Sequence, residues 1–118
     1  HLTGYEVLRQ VAASLIGAVR SYDIVGRYGG EEFLIAGSHN CVEDAVHLAE
    51  RLRQRIAAVQ IPQLAFPVTA SIGIAVLRPD RNTTIASLIQ MADIALYDAK
   101  HNGRNRSELA PATCLPSL

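Results

Sequence analysis

Composition alone announces little of a function. Its 118 residues carry a formal net charge of zero and a near-neutral pI, so no global positive field draws the chain to nucleic acid or to an anionic membrane. Any phosphate chemistry must come from a local arrangement. There are two cysteines, Cys41 and Cys114, with neither metal-ligand spacing nor a disulfide framework, as expected of a reduced intracellular domain. Apolar runs are broken by Ser, Gly or Arg well short of the about 18 residues a membrane span needs, and none has the form of a signal peptide. The segment is expected to be cytoplasmic and to touch no membrane itself, whether free or as the cytoplasmic part of a membrane-tethered protein. The histidines His1, His39, His47 and His101 are scattered without ligand spacing, and no internal repeat or low-complexity tract is present. The length suits one compact domain with one core and is too small for two.

What is present is a regular alternation of helical and extended patterns. Thr3-Gly4-Tyr5-Glu6 has the form of a capping box, followed by Val7, Leu8, Val11, Leu15, Ile16 and Val19 at helical spacing, which predicts a helix from about Gly4 to Arg20. Ile24 to Tyr28 and Phe33 to Ala36 read as short strands around Gly29-Gly30, a pair suited to the positive φ angles of a tight two-residue hairpin. Asn40 is placed to cap a second helix with Val42, Ala45, Ala49, Leu52 and Ile56 inward, ending before Ile61-Pro62. From Phe66 to Leu77, Val68, Ala70, Ile72, Ile74 and Val76 alternate with the small Thr69, Ser71, Gly73 and Ala75, a strand whose second face lets a helix approach closely. Strand, helix, strand in this order is a right-handed crossover unit, which predicts the second hairpin strand and this one as parallel neighbours. A last helix from Thr84 stops at Gly103 as a left-handed cap, Asn105 to Leu109 suits an edge strand, and the Pro-containing residues from Ala110 read as a loose tail.

The chemistry concentrates in RYGGEEFLIAG. Glu31 and Glu32 follow two glycines and precede an apolar strand. Carboxylates this close repel unless one is protonated or a cation lies between them, and hard oxygen ligands beside a phosphate-sized gap suit Mg²⁺. Glycines without Cβ atoms let the turn backbone approach a triphosphate and offer it N–H groups. The plain alternative is a solvated hairpin whose glutamates serve solubility.

RYGGEEF resembles the signature of GGDEF domains, the diguanylate cyclases, in the variant with Glu at the third position. SIGIA (Ser71 to Ala75) and ADIALYDAKHNGRN (Ala92 to Asn105) resemble that family's later blocks in order and spacing, and His1 to Leu8 resembles its GHxxGDxxL block. The resemblance covers residues 1 to 109, read as one domain that lacks part of its N-terminal side, with 110 to 118 as a C-terminal tail. It implies an α/β (α+β) fold of the ferredoxin-like, polymerase-palm kind, a nucleotidyl-cyclase-like mixed sheet with flanking helices. It implies condensation of two GTP into cyclic di-GMP with release of two pyrophosphates, each GTP held by one domain of a homodimer, with Mg²⁺ or Mn²⁺ and fusion to a sensory or regulatory domain. By the same resemblance Gly29 and Gly30 lie against the nucleotide, and Glu31 and Glu32 are catalytic and hold metal. Lys100, the sole lysine, and Arg104 contact phosphates; a cation in the last turn of a helix also complements its dipole. Arg20 and Asp23, in RSYD, match the RxxD site at which many members bind the product inhibitor, joined by Arg51. A surface ion pair is the plain alternative for Arg20 and Asp23, and a solvated helix face the one for Arg51.

Two departures from the family pattern follow. Family domains are longer at the N-terminus by a strand and a helix that include a metal-ligating aspartate, so the hairpin glutamates alone would form an incomplete metal site. Tyr5 stands where the GHxxGD block has Asp, and a phenol replaces a carboxylate that accepts two guanine N–H groups. The alternative function is therefore a catalytically impaired module that binds GTP or cyclic di-GMP and regulates a fused domain, or a cyclase of altered purine preference. A purely structural dimerisation domain is the third reading.

Overall fold

A computed structural model of the chain describes residues 4–21, 23–38, 41–62, 64–65, 67–77 and 83–111. The order of elements is α1 (Gly4–Ala18), β1 (Ile24–Arg27), β2 (Phe33–Ala36), α2 (Val42–Ala57), β3 (Ile72–Ile74), α3 (Ile85–His101) and β4 (Ser107–Leu109). The described residues form an α+β fold with three helices and two two-stranded sheets.

Apolar residues four apart build the core. Val11 and Leu15 of α1 meet Leu48, Leu52 and Ile56 of α2, all at most 8% exposed. Val25, Phe33 and Ile35 of the hairpin pack on this layer, and so do Val68, Ala70 and Ile72 of the segment leading into β3. One pair of helices thus supports both strand pairs. The N-cap of α2 falls on Cys41, which makes no side-chain capping bond, and not on Asn40; Asn40 and Thr3, the other expected cap, lie outside the described residues. Glu43 and Asp44 in the first turn and Arg55 in the last complement the α2 dipole instead.

α3 begins as its sequence predicts, with Thr84 accepting a hydrogen bond from the Ser87 N–H at 3.0 Å. It ends at Asn102, followed by Gly103 at φ +122, the left-handed conformation glycine tolerates best. Its inner residues Met91, Ala95 and Ala99 are buried. β3 lies so close to α3 that a Cβ at Gly73 would collide with the Ala92 carbonyl oxygen and stand 3.0 Å from Leu96 Cα. The small face of the predicted strand is this contact.

Several expectations are corrected. β1 and β2 pair antiparallel up to Arg27 opposite Phe33, so the hairpin loop is residues 28–32 and not a two-residue turn. The N–H groups of Tyr28 and Gly29 both donate to the Glu32 carbonyl, at 2.8 and 3.2 Å, which closes a wider loop, and neither hairpin glycine has a positive φ. Second, among the described residues β2 and β3 do not pair: β3 pairs parallel with β4, Ile72 opposite Ser107, in a separate two-stranded sheet. The crossover rule concerns strands of one sheet, and β2 and β3 belong to different ones. Within residues 67–77, the long strand expected there is limited to Ile72–Ile74, where β4 supplies three paired residues; Phe66 lies outside the described residues. Third, Ala110 is no loose tail residue. Its N–H donates to the Ile74 carbonyl at 2.8 Å and it is buried against Met91 and Ala95.

Candidate functional site

The hairpin loop presents Glu31 exposed and Glu32 half-buried. It is held from within by Arg27, whose Nε donates to the carbonyls of Gly29 at 3.3 Å and Gly30 at 3.1 Å, with Nη2 also donating to Gly30. Both glycine carbonyls are thereby turned toward a cation of β1. A Cβ at Gly29 would stand 3.3 Å from Glu32 Oε1, a tight contact that a small shift of that side chain would relieve.

A second element reaches this loop. Lys100, in the last turn of α3, places Nζ 3.7 Å from Glu32 Oε2, with the two side chains 33% and 39% exposed. Such an open pair contributes little stability, but it shows that the end of α3 lies beside the acidic tip. Arg104 follows one turn later in the loop after α3, exposed, at φ +62. Its N–H donates to the Ala99 carbonyl at 2.9 Å, and its own carbonyl accepts from Arg106 Nε at 3.2 Å. Tyr5, in the first turn of α1, is 68% exposed, and no hydrogen bond among the described residues ties it to the hairpin.

Arg20, Asp23 and Arg51 gather at the other end of the hairpin. The Arg20 side chain donates to Asp23 Oδ2 at 3.3 Å and Oδ1 at 3.2 Å, its backbone N–H donates to Oδ2 at 2.9 Å, and Nη2 also reaches the Ser38 carbonyl at 2.5 Å. The Asp23 carboxylate is fully enclosed while Arg20 remains 39% exposed. Arg51 Nη2 donates to the Ala18 carbonyl at 3.4 Å, at the end of α1.

No group of three or more His, Cys, Asp or Glu able to hold a metal ion occurs among the described residues. The two carboxylates fit the manner in which Mg²⁺ is often held, by one or two protein carboxylates with substrate phosphates and water completing the shell. No helix among the described residues is long and apolar enough to cross a membrane.

Sequence reasoning missed two groups. Arg27 carries no signal beyond adjacency to the glycines, because its bonds depend on the loop being five residues long. On α2, Glu50 and Arg53 show a legible i,i+3 pairing, with Arg53 Nη2 2.9 Å from Glu50 Oε2. What is not legible is their reach across the fold: Arg53 Nη1 donates to Asn105 Oδ1 at 3.0 Å, and Ser107 Oγ to Glu50 Oε1 at 3.1 Å. The Arg53 hydrogen bond, aided by the one from Ser107 and opposed by partial desolvation, holds the Glu50 carboxyl below the ordinary carboxylate range. The same bond raises the Arg53 guanidinium.

An acidic loop approached by a lysine from a helix end is the arrangement that the motif blocks lead one to expect. Residues 1–106 match the family described as diguanylate cyclase, GGDEF domain, and the chain belongs to that family. Over 114 residues it is 38% identical to the diguanylate cyclase DosC of Escherichia coli, covering 96% of this chain and 25% of DosC. It therefore spans about a quarter of that relative's length. Among solved structures it is similar to the active GGEEF domain of a diguanylate cyclase from Vibrio cholerae, with 36% identity and a TM-score of 0.83 over 94% of this chain and 70% of the other. It is also similar to the GGDEF domain of DgcB from Caulobacter crescentus in complex with c-di-GMP, with 29% identity and a TM-score of 0.83 over 93% of this chain and 66% of the other. These neighbours carry the same fold, as the motif blocks predict.

Proposed function

We propose that this chain is the cyclase unit of a diguanylate cyclase that condenses two GTP into cyclic di-GMP. The observation that carries the reading is the convergence of Glu32 and Lys100, from separate elements, at the glycine-containing loop. In each half-reaction the 3′-hydroxyl of one GTP attacks the α-phosphate of the other. A P–O bond forms, the bond to the β-phosphate breaks, pyrophosphate leaves, and the hydroxyl proton passes to solvent or base; two such steps close the ring.

Gly29 and Gly30 let the triphosphate lie against the loop, and Arg27 keeps their carbonyls turned aside. Lys100 and Arg104 neutralise phosphate charge and orient the leaving group. Glu31 and Glu32 would hold Mg²⁺ or Mn²⁺, which supplies Lewis-acid stabilisation of the phosphoryl charge. Each unit binds one GTP, so turnover requires a homodimer whose two sites face each other. Arg20, Asp23 and Arg51 form the product-inhibition site, supported by their clustering at the foot of the hairpin and by the c-di-GMP complex of a structural neighbour. Residues 1–109 are the part of the domain present here, which works in the cytoplasm and is fused to a sensory or regulatory domain, consistent with the longer chain of the relative it matches.

Incubation of the full-length polypeptide with GTP and Mg²⁺ yields cyclic di-GMP, detected by mass spectrometry. Glu31→Ala abolishes turnover while unfolding stays cooperative. Absence of product at high protein concentration overturns the reading. Tyr5, in place of the family's aspartate and 68% exposed, favours a second reading, an impaired nucleotide-binding module or a cyclase of altered purine preference. Calorimetric titration showing GTP or cyclic di-GMP binding without turnover selects the module, and turnover of other purine triphosphates selects the variant cyclase.

A further inference from the structure

Three successive residues after α3 have positive φ: Gly103 at 122°, Arg104 at 62° and Asn105 at 47°. Glycine adopts this region freely and asparagine tolerates it, but an arginine there is uncommon. Such backbone persists only where its surroundings over-determine it. On one side, Asn102 and Arg104 N–H groups donate to the Asp98 and Ala99 carbonyls of α3, at 2.8 and 2.9 Å. On the other, the Arg106 carbonyl accepts from Ile72 N–H at 2.9 Å as the β3–β4 ladder begins. The third constraint comes from α2, where Arg53 lies 52 residues before Asn105 in the chain.

We propose that Glu50 and Arg53 are positioning residues that, through Asn105 and Ser107, fix the left-handed turn 103–105 and with it the placement of Arg104. The whole guanidinium fork of Arg53 is engaged in these bonds, with Nε and Nη2 on the Glu50 carboxylate, at 3.1 and 2.9 Å to Oε2, and Nη1 on Asn105 Oδ1 at 3.0 Å. Glu50 returns the link by accepting from Ser107 Oγ at 3.1 Å, just beyond the turn. A helix-surface ion pair needs neither connection. The consequence for function rests on the reading of Arg104 as a phosphate contact. A side chain on a pinned turn loses less freedom when it captures a triphosphate than one on a loose loop.

The test uses the full-length polypeptide and its Arg53→Ala, Arg53→Lys and Asn105→Gly variants. Asn105→Gly keeps the left-handed backbone accessible and removes the acceptor but also frees the backbone, so Arg53→Ala, which leaves the turn's own residues unchanged, is the deciding variant. Without nucleotide, amide hydrogen exchange at residues 103–106 accelerates in Arg53→Ala and Asn105→Gly by on the order of tenfold, while the α1–α2 core is unchanged. Arg53→Lys does not restore slow exchange, because an ammonium cannot form the fork. With GTP and Mg²⁺, the KM for GTP rises by on the order of tenfold in Arg53→Ala, the scale of one charge-assisted hydrogen bond, and Arg53→Ala adds nothing further in an Arg104→Ala background. Unchanged exchange at 103–106 overturns the proposal whether or not the protein turns over GTP, so its failure is distinct from failure of the cyclase reading. Independent, additive effects of Arg53→Ala and Arg104→Ala on KM overturn the action through Arg104.

Discussion

Arg20 uses its guanidinium on a carboxylate that water does not reach. The buried Asp23 carboxylate accepts from the Arg20 backbone and side chain together, and the same arginine ties the chain after β2 through the Ser38 carbonyl. Removal of the arginine leaves an enclosed acceptor short of donors, which typically costs about 1–3 kcal/mol. Arg20→Ala is therefore expected to lower the unfolding free energy by that amount in urea titration. It should also weaken cyclic di-GMP binding by on the order of tenfold, as measured calorimetrically. A loss of stability with unchanged product affinity would show that RSYD is a structural clasp alone. The i,i+3 spacing of the pair was legible in the sequence, because both residues lie near one helix end. The Ser38 bond was not, since it depends on where β2 brings its following residues back.

At the scale of elements, the alternation Val68 to Val76 foretold both the inward face of the β3 segment and the close approach of a helix on its small face. The neighbour of β3 was foretold wrongly, as the second hairpin strand instead of β4. Periodicity says which face of a strand is buried and nothing about its edges, and the edge pairing with β4 rests on the turn that Gly103 opens. The close approach gives a sharp expectation. A methyl group at Gly73 meets the backbone of α3, which cannot yield like a side-chain tip, so Gly73→Ala should cost about 1–3 kcal/mol by overpacking. Gly30→Ala is the control, since nothing lies within 4 Å of a Cβ there. Guanidinium titration should show a lowered midpoint for the first variant and little change for the second; equal midpoints would contradict the packing. Because α3 carries Lys100, the shift forced by Gly73→Ala should also reduce turnover by moving Lys100 from Glu32.

At the scale of the whole molecule, the candidate site is assembled from the sides of two sheets that, among the described residues, share no hydrogen-bonded strand pair. Glu31 and Glu32 come from the β1–β2 hairpin, while Lys100 and Arg104 come from the α3–β4 side. What holds the halves in register is the α1–α2 layer, onto which Val25, Phe33 and Ile35 of one sheet and Ile72 of the other all pack. Leu52 lies at its centre, 3% exposed. Leu52→Ala removes buried methyl groups and leaves a cavity beneath both sheets, a change that typically costs about 2–5 kcal/mol. If the helix layer couples the halves, hydrogen exchange in Leu52→Ala should accelerate together at Val25 and Ile35 and at Ile72 and Ile74, within one cooperative transition. Faster exchange confined to the hairpin, with the β3–β4 pair unaffected, would mean that α3 alone stabilises its sheet, and the distance from Glu32 to Lys100 would then be set by the connecting loops instead of the core.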